Sequence, residues 1–432
     1  MDSIEVENEE FVGFIESSCK RAILVSVYKG GSEKTECEEN LQELKRLVDT
    51  LGMETLQGIP CSIKKFEAST YLGKGKLEEL SQIIREQNAD ILIIDDEISP
   101  GQQRNLEKLF QIPVLDRTEV ILEVFSKHAR TKEAKLQIEL AKIRYELPRL
   151  KRLWTHLSRQ RGGGVNMKGE GEKQIEIDKR ILKAKVERLE SELKKVRDYR
   201  MTQRGARQKS LIPTFAIIGY TNVGKSTLLK ALTEADVLVE DKLFATLDTT
   251  TRKFVLPNQQ EVLLIDTVGF IRKIPYTLVK AFRSTLEEAV EADILLHIID
   301  ASHPMREEQA KATFDVLKEL NATEKPVITV LNKVDLCTDL DSLDALQHKY
   351  PKTVQISALT GMGFNKLAEL MIQELEKGRQ KVVIRVPQKD YSVLQEIEKY
   401  GQIHNREYEG NDIILFIEGP NDIVNRLKKY WT

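Results

Sequence analysis

The chain has 432 residues and a mass of 49.5 kDa, enough for two to four domains with real cores at about 100–200 residues each. Its 41% hydrophobic and 31% charged residues exclude a mainly disordered polymer, and its four cysteines, without CxxC spacing, exclude a small disulfide scaffold or a zinc cluster. The net charge of −2 is an average that conceals opposed segments.

Residues 1–21 read as an extension that opens on the acidic "MDSIEVENEEF" and lacks a signal-peptide apolar stretch. With Cys19, Cys37, Cys61 and Cys337 unpaired by motif, a reducing, cytoplasmic setting is expected. Apolar runs such as Ile294–Ile299 fall far short of the roughly 18 residues that cross a bilayer, so no transmembrane segment is expected.

From Ala22 to about residue 126, β-type runs ("AILVSVY", "IPCSIKKF", "ADILIID", "IPVLD") alternate with helical ones ("GKLEELSQIIREQ", "PGQQRNLEKLF"). This predicts a small α/β domain with a mostly parallel sheet. Within it, "LGKGK" at Leu72–Lys76 suits an anion but lacks the spacing of a nucleotide loop, so a β-to-α turn with solvated lysines is the simpler reading.

Residues 127–210 differ. Leu136, Leu140, Ile143, Leu147, Leu150, Trp154 and Leu157 step by four and three, which predicts one long helix over Thr131–Leu157, kinked at Pro148. After "RGGGVNMKGEG" a second seam, Ile175, Leu182, Val186, Leu189, Leu193 and Val196, keeps the same register. Neither narrow stripe is stable alone, so an antiparallel helical hairpin follows, an arm on the order of 40 Å long.

From Ser126 to Ser210 there are 25 Lys and Arg against 11 Asp and Glu, a net of +14 that leaves −16 for the remainder. On the second helix this could be a solvated face. At the tip, Lys151, Arg152, Arg159, Arg161 and Lys168 surround Gly162–Gly164, where bare backbone permits close approach. Phosphate-rich RNA is the matching surface.

Residues 211–378 return to an α/β pattern. "FAIIG" is a strand that runs into Gly219-x-x-x-x-Gly224-Lys225-Ser226 and then the helix former "LLKAL", the setting of a phosphate-binding loop. Its N–H groups and helix terminus would cradle phosphates, Lys225 would reach the β and γ oxygens, and Ser226 would ligand Mg²⁺. "EVLLIDTVGF" ends a strand at Asp266, with Gly269 three residues on, where a γ-phosphate is sensed. "VITVLNKVDL" delivers Asn332, Lys333 and Asp335 at a strand end. The Asp335 carboxylate would accept from the ring N–H and exocyclic amine of guanine, donors that adenine lacks. "VQISALTG" adds Ser357 and Ala358, whose N–H would face the guanine carbonyl. Phe270 stands where a water-orienting Gln would serve, so intrinsic hydrolysis should be slow. Residues 379–432 read as strand, helix, two strands and helix, a small C-terminal α+β domain.

The central segment resembles translation-factor-class P-loop GTPases, and the chain from about Ala22 onward resembles the HflX family of ribosome-associated GTPases. The resemblance extends to "TYLGKGKLEEL" at Thr70–Leu80, "HARTKEAKLQIELAKIRYELPRL" at His128–Leu150, "GEGEKQIEIDKR" at Gly169–Arg180 and "LFATLDTTTRKF" at Leu243–Phe254. Two departures are Thr249 and Glu170, where the family usually carries Pro.

The resemblance implies binding to the large ribosomal subunit and its rRNA, with the N-terminal region and arm near the peptidyl-transferase centre, and splitting or rescue of stalled ribosomes. It implies Thr246 as the switch threonine, a Mg²⁺ ligand beside Ser226 and Asp266. GTP contacts are then expected over Gly219, Tyr220, Thr221, Asn222, Val223, Gly224, Lys225, Ser226 and Thr227, and over Phe244, Ala245 and Thr246. They continue over Asp266, Thr267, Val268 and Gly269, over Asn332, Lys333, Val334 and Asp335, and over Ser357, Ala358 and Leu359. Lys225, Thr246 and Gly269 would serve catalysis, and the ribosome would accelerate turnover. A monomer without DNA affinity is expected, and peripheral membrane association stays open. So do two alternatives, a GTPase that docks its arm on a protein or membrane partner and an RNA-binding protein that its nucleotide merely stabilises.

Overall fold

The computed structural model describes residues 21–149, 170–208, 212–233, 243–244, 249–273, 290–337, 340–350, 352–377, 379–387, 390, 393–395, 397 and 402–431. Its first sheet is wholly parallel, in the order β2-β1-β3-β4, built from β1 (Arg21–Tyr28), β2 (Glu54–Ser62), β3 (Ile91–Ile94) and β4 (Val114–Asp116). Side chains alternate along β1: Ile23 and Val25 face α2 (Lys74–Gln87) and α3 (Pro100–Phe110), while Ala22 and Leu24 face α1 (Lys34–Leu51) and α4 (Arg117–His128). Helices on both faces are why these strands read as continuous apolar runs. The "LGKGK" segment is a β-to-α turn, with Gly73 preceding α2 and Lys76 paired to Glu79 at 2.7 Å.

Helix α5 (Lys132–Glu146) passes into a 3-10 turn over Leu147–Arg149 that contains Pro148, the position expected to kink it. Leu150, Trp154 and Leu157 lie outside the described residues. The side chain of Ile175 lies outside them too, and the other seam positions pack together. Leu136, Leu140 and Ile143 pack on Leu182 and Leu189 of α6 (Glu170–Gln208), with Leu147, Val186, Leu193 and Val196 around them. Lys132 bridges to Glu192 and Glu139 to Lys185, partners that step in opposite directions along the two helices as an antiparallel pair requires, and Arg144 also pairs with Glu190.

Helix α5 also has a second buried face that the seam alone does not reveal. Ala134, Ile138, Ala141 and Tyr145 pack against the first domain. Asp116, fully buried, accepts from the Tyr145 hydroxyl at 2.6 Å and from the backbone N–H of Ile98 at 3.2 Å, and Arg149 lies 3.4 Å away. A buried carboxylate needs such partners. They weld the base of α5 to the N-terminal sheet.

The central sheet has the order β10-β9-β8-β5-β7-β6. Its strands are β5 (Thr214–Gly219), β6 (Thr250–Val255), β7 (Glu261–Asp266), β8 (Ile294–Asp300), β9 (Val327–Asn332) and β10 (Thr353–Gln355), all parallel except the edge strand β6. Helices α7 (Lys225–Thr233), α8 (Arg306–Glu319) and α9 (Leu340–Lys349) lie between these strands in the chain, and α10 (Phe364–Lys377) follows β10. One apolar cluster runs from the N-terminal domain into this one. Beyond it, β11 (Arg379–Pro387), β12 (Gln402–Glu409) and β13 (Asp412–Pro420) form an antiparallel sheet in the order β11-β13-β12, closed by α11 (Asn421–Arg426). No helix among the described residues is long and apolar enough to cross a membrane.

Candidate functional site: a phosphate loop and a base pocket

Strands β5, β7 and β9 are parallel neighbours or near neighbours, so their C-terminal ends open on one edge of the sheet, the edge where α/β folds take ligands. β5 ends at Gly219 and α7 begins at Lys225, so the loop between them puts its backbone at a helix N-terminus. Two glycines are obligatory for steric reasons. Gly219 has φ +149° and a Cβ there would strike the Ile298 carbonyl, while Gly224 has φ +96° and a Cβ would strike the Asn332 amide. Tyr220, Thr221 and Val223 are buried, and Asn222, Ser226 and Thr227 are half-buried.

Lys225 is buried and its ammonium donates to the Tyr220 carbonyl at 2.6 Å and the Gly219 carbonyl at 3.3 Å. Burial pushes its pKa down to about 8, with the Asp266 carboxylate acting against that shift. Such an ammonium is poised for an anion that would repay its desolvation. The Ser226 hydroxyl donates to Asp266 Oδ2 at 2.7 Å. A hydroxyl and a carboxylate brought together at a phosphate loop are the hard oxygen donors that suit Mg²⁺.

Thr267 and Val268 are buried, and the Thr267 hydroxyl donates to the Ile217 carbonyl at 2.8 Å. Gly269 lies against the loop so closely that a Cβ would come 2.8 Å from both Lys225 Nζ and Thr221 Cα. Phe270 is 1% exposed. Its ring fills the core and carries no group able to orient a water molecule.

At the end of β9, the Asn332 amide donates to the Val223 carbonyl at 2.8 Å, and its oxygen accepts from the Ala358 N–H at 2.9 Å. One side chain thus joins phosphate loop, base loop and the Ser357–Leu359 loop. Lys333, at φ +62°, donates to the Asn222 carbonyl at 2.9 Å and pairs with Asp300 at 2.7 Å. Val334 is buried, Asp335 is exposed on the following turn, Ser357 is buried and Leu359 is exposed. The Ala358 N–H expected to face guanine is thus already engaged by Asn332 in this arrangement.

The segment expected to form the first switch is only partly described. Ala245 and Thr246 lie outside the described residues, as do Lys151, Arg152, Arg159, Arg161 and Lys168. Phe244 is buried, and its ring meets Phe125 of α4 edge-on at 4.5 Å. Periodicity and motif spacing miss this contact, together with those of Tyr220, Arg272 and Lys273 to the N-terminal domain. Their partners lie more than 100 residues away, and no local signal marks them.

A phosphate loop, an acidic strand end, an Asn-Lys-x-Asp base loop and a Ser-Ala loop on one sheet edge define a P-loop GTPase, an enzyme that hydrolyses GTP. Profiles described as GTP-binding GTPase N-terminal, GTP-binding GTPase middle region and 50S ribosome-binding GTPase match residues 38–126, 128–207 and 214–333. The chain is 45% identical to GTPase HflX of Chlamydia pneumoniae, across 96% of this chain and 89% of that protein. It is 40% identical to GTPase HflX of Escherichia coli K12, across 88% and 90%. The chain belongs to the HflX family of GTPases. Among solved structures, it is similar to a GTP-binding protein from the hyperthermophilic archaeon Sulfolobus solfataricus in complex with GDP. That chain is 27% identical, with 82% of this chain and 98% of that one covered at a TM-score of 0.43.

Proposed function

We propose that this GTPase binds the large ribosomal subunit and, in its GTP state, splits or rescues stalled ribosomes. The observation that carries the reading is the extent of the family likeness. It covers the N-terminal and middle regions as well as the nucleotide domain, and that domain matches a profile described as a 50S ribosome-binding GTPase.

GTP would sit with its phosphates on the Gly219–Thr227 loop and its base against Asn332, Lys333, Val334 and Asp335, with Ser357, Ala358 and Leu359 closing the base pocket. Lys225 would balance the β and γ oxygens. Ser226, Thr246 and Asp266 would hold Mg²⁺, which supplies charge neutralisation along the phosphates. The 2.7 Å approach of Ser226 to Asp266 supports that donor set. Gly269 would present its N–H to the γ-phosphate, a contact that GDP cannot offer. With Phe270 buried, no side chain beside Gly269 aligns water, so turnover is slow alone and ordering of the switches by the ribosome accelerates it.

Lys151, Arg152, Arg159, Arg161 and Lys168 would supply salt-sensitive contacts to rRNA, and the excess of cations over Ser126–Ser210 supports this. Dissociation of purified ribosomes with GTP, GDP and a non-hydrolysable analogue tests the reading. Splitting with GTP but not GDP is expected. Replacing Arg159, Arg161 and Lys168 by Glu should abolish co-sedimentation with large subunits at moderate salt and leave GTP binding intact. Unchanged co-sedimentation would instead favour a protein-docking arm.

A further inference from the structure

A charged seam joins the segment after Gly269 to the N-terminal sheet. Lys273 Nζ lies 3.0 Å from Asp95 Oδ2 and 2.6 Å from Asp96 Oδ1, and the Arg272 guanidinium pairs with Glu36 of α1. The phosphate loop joins the same seam. The Tyr220 hydroxyl donates to Glu43 and accepts from the Arg272 N–H at 2.7 Å. Beneath them the buried Arg117 spans Glu43 and Asp95, at 2.7 Å from the latter, and donates to the Arg272 carbonyl at 3.3 Å.

The place of this seam in the fold is specific. Asp95 follows β3 directly, and Ser26 near the end of β1 donates to it at 3.2 Å. β1 and β3 are adjacent, and the chain proceeds outward from them in opposite directions, so the crevice at their C-terminal ends is where such a sheet takes a ligand. Here the group seated over that crevice is Lys273 of the same chain. Asp95 is fully buried, so its charge needs the Lys273, Arg117 and Ser26 partners.

We propose that Asp95, Asp96 and Glu36 of the N-terminal domain, by gripping Lys273 and Arg272, are positioning residues that hold the segment after Gly269 in place for a γ-phosphate. The N-terminal domain thereby sets the preference for GTP over GDP. Only GTP requires Gly269 and its neighbours to be ordered, and the latch meets part of that ordering cost before the nucleotide arrives. By linkage, GTP tightens the latch as much as the latch tightens GTP. The edge-on contact of Phe244 with Phe125 attaches the first switch to the same domain. The inference rests on the GTP reading of the central domain but not on the ribosome.

Calorimetry on the full chain with GDP and with a non-hydrolysable GTP analogue tests it. In Lys273→Met, affinity for the analogue should fall about five- to twentyfold while that for GDP stays within about twofold. Arg272→Glu and Glu36→Arg should each weaken the analogue alone, and the double variant, which restores the pair with reversed sign, should recover it. Unaltered selectivity in Lys273→Met, equal loss of both nucleotides, or no recovery in the charge swap overturns the latch. Wild-type protein that binds neither nucleotide would instead overturn the GTP reading, and the latch with it.

Discussion

Tyr220 and Phe270 stand side by side as an isolated parallel bridge: the Thr221 N–H donates to the Phe270 carbonyl at 2.7 Å and the Phe270 N–H to the Gly219 carbonyl at 3.0 Å. The Gly219–Thr227 loop and the segment after Asp266 are therefore one backbone unit. Gly269 lies inside it, and Gly269→Ala would drive a methyl to 2.8 Å from Thr221 Cα, which is backbone and cannot step aside. Overpacking of this kind costs about 1–3 kcal/mol. Single-turnover GTP hydrolysis should drop about ten- to a hundredfold, with GDP affinity nearly unchanged.

Asp335 is exposed at the end of the β9 loop, free to meet a base edge. Asp335→Asn replaces two acceptors by one acceptor and one donor, which leaves the exocyclic amine of guanine unmatched. Loss of about 2–4 kcal/mol, some thirtyfold or more in GTP affinity, is expected. The amide now complements a base with a carbonyl at that position, so xanthosine triphosphate should bind the variant better than GTP does. Competition against a fluorescent guanine nucleotide measures both.

The Lys225 ammonium, pushed down to about 8 by burial, should be raised by phosphates that replace the water it lost. Free protein therefore loses its proton above pH 8 while the complex keeps it, and binding must take up a proton there. GTP affinity should fall about twofold from pH 7 to 8 and about tenfold by pH 9. Calorimetry in two buffers of different ionisation heat would report the proton uptake. Lys225→Met should bind weakly at every pH, with no such slope.

His297, in the middle of β8, is fully buried edge-on to Phe314 at 4.8 Å, and neither ring nitrogen has a hydrogen-bond partner among the described residues. Burial pushes its pKa down to about 3, far below the 6.5 of a free imidazole. The unfolded chain thus takes up a proton that the folded chain refuses. Stability is intact above pH 6.5 and lost at about 1.4 kcal/mol per pH unit below it, or about 2 kcal/mol by pH 5. His297→Leu should shift the urea midpoint upward at neutral pH and flatten the acid limb. An unchanged acid limb would rule out His297 as its source.

Much of this molecule was legible in local pattern. Continuous apolar strands flanked by helices announced the parallel sheet of the N-terminal domain and the α/β pattern of the central one because burial on two faces leaves no polar alternation, as in β1 and β8. The site motifs were equally plain, since phosphate, metal and base each demand particular side chains at fixed distances along one loop. The seam on α5 was visible for the same reason, but the second buried face of that helix was not. Pro148 falls in the 3-10 turn that follows Glu146, and the opposite face of α5 is committed to the N-terminal domain.

Spacing along the chain established a GTP site, and it had no means of establishing what that site is attached to. Glu43 meets Tyr220 across 177 residues, and Asp95 meets Lys273 across 178. A lone Lys after a Gly motif or a lone Asp after a strand is uninformative until folding brings the two charges together. Local chemistry is written in neighbouring residues because a phosphate spans only one loop. The union of two domains is written in the docking of their surfaces, where burying Asp95 makes Arg117 and Lys273 obligatory partners.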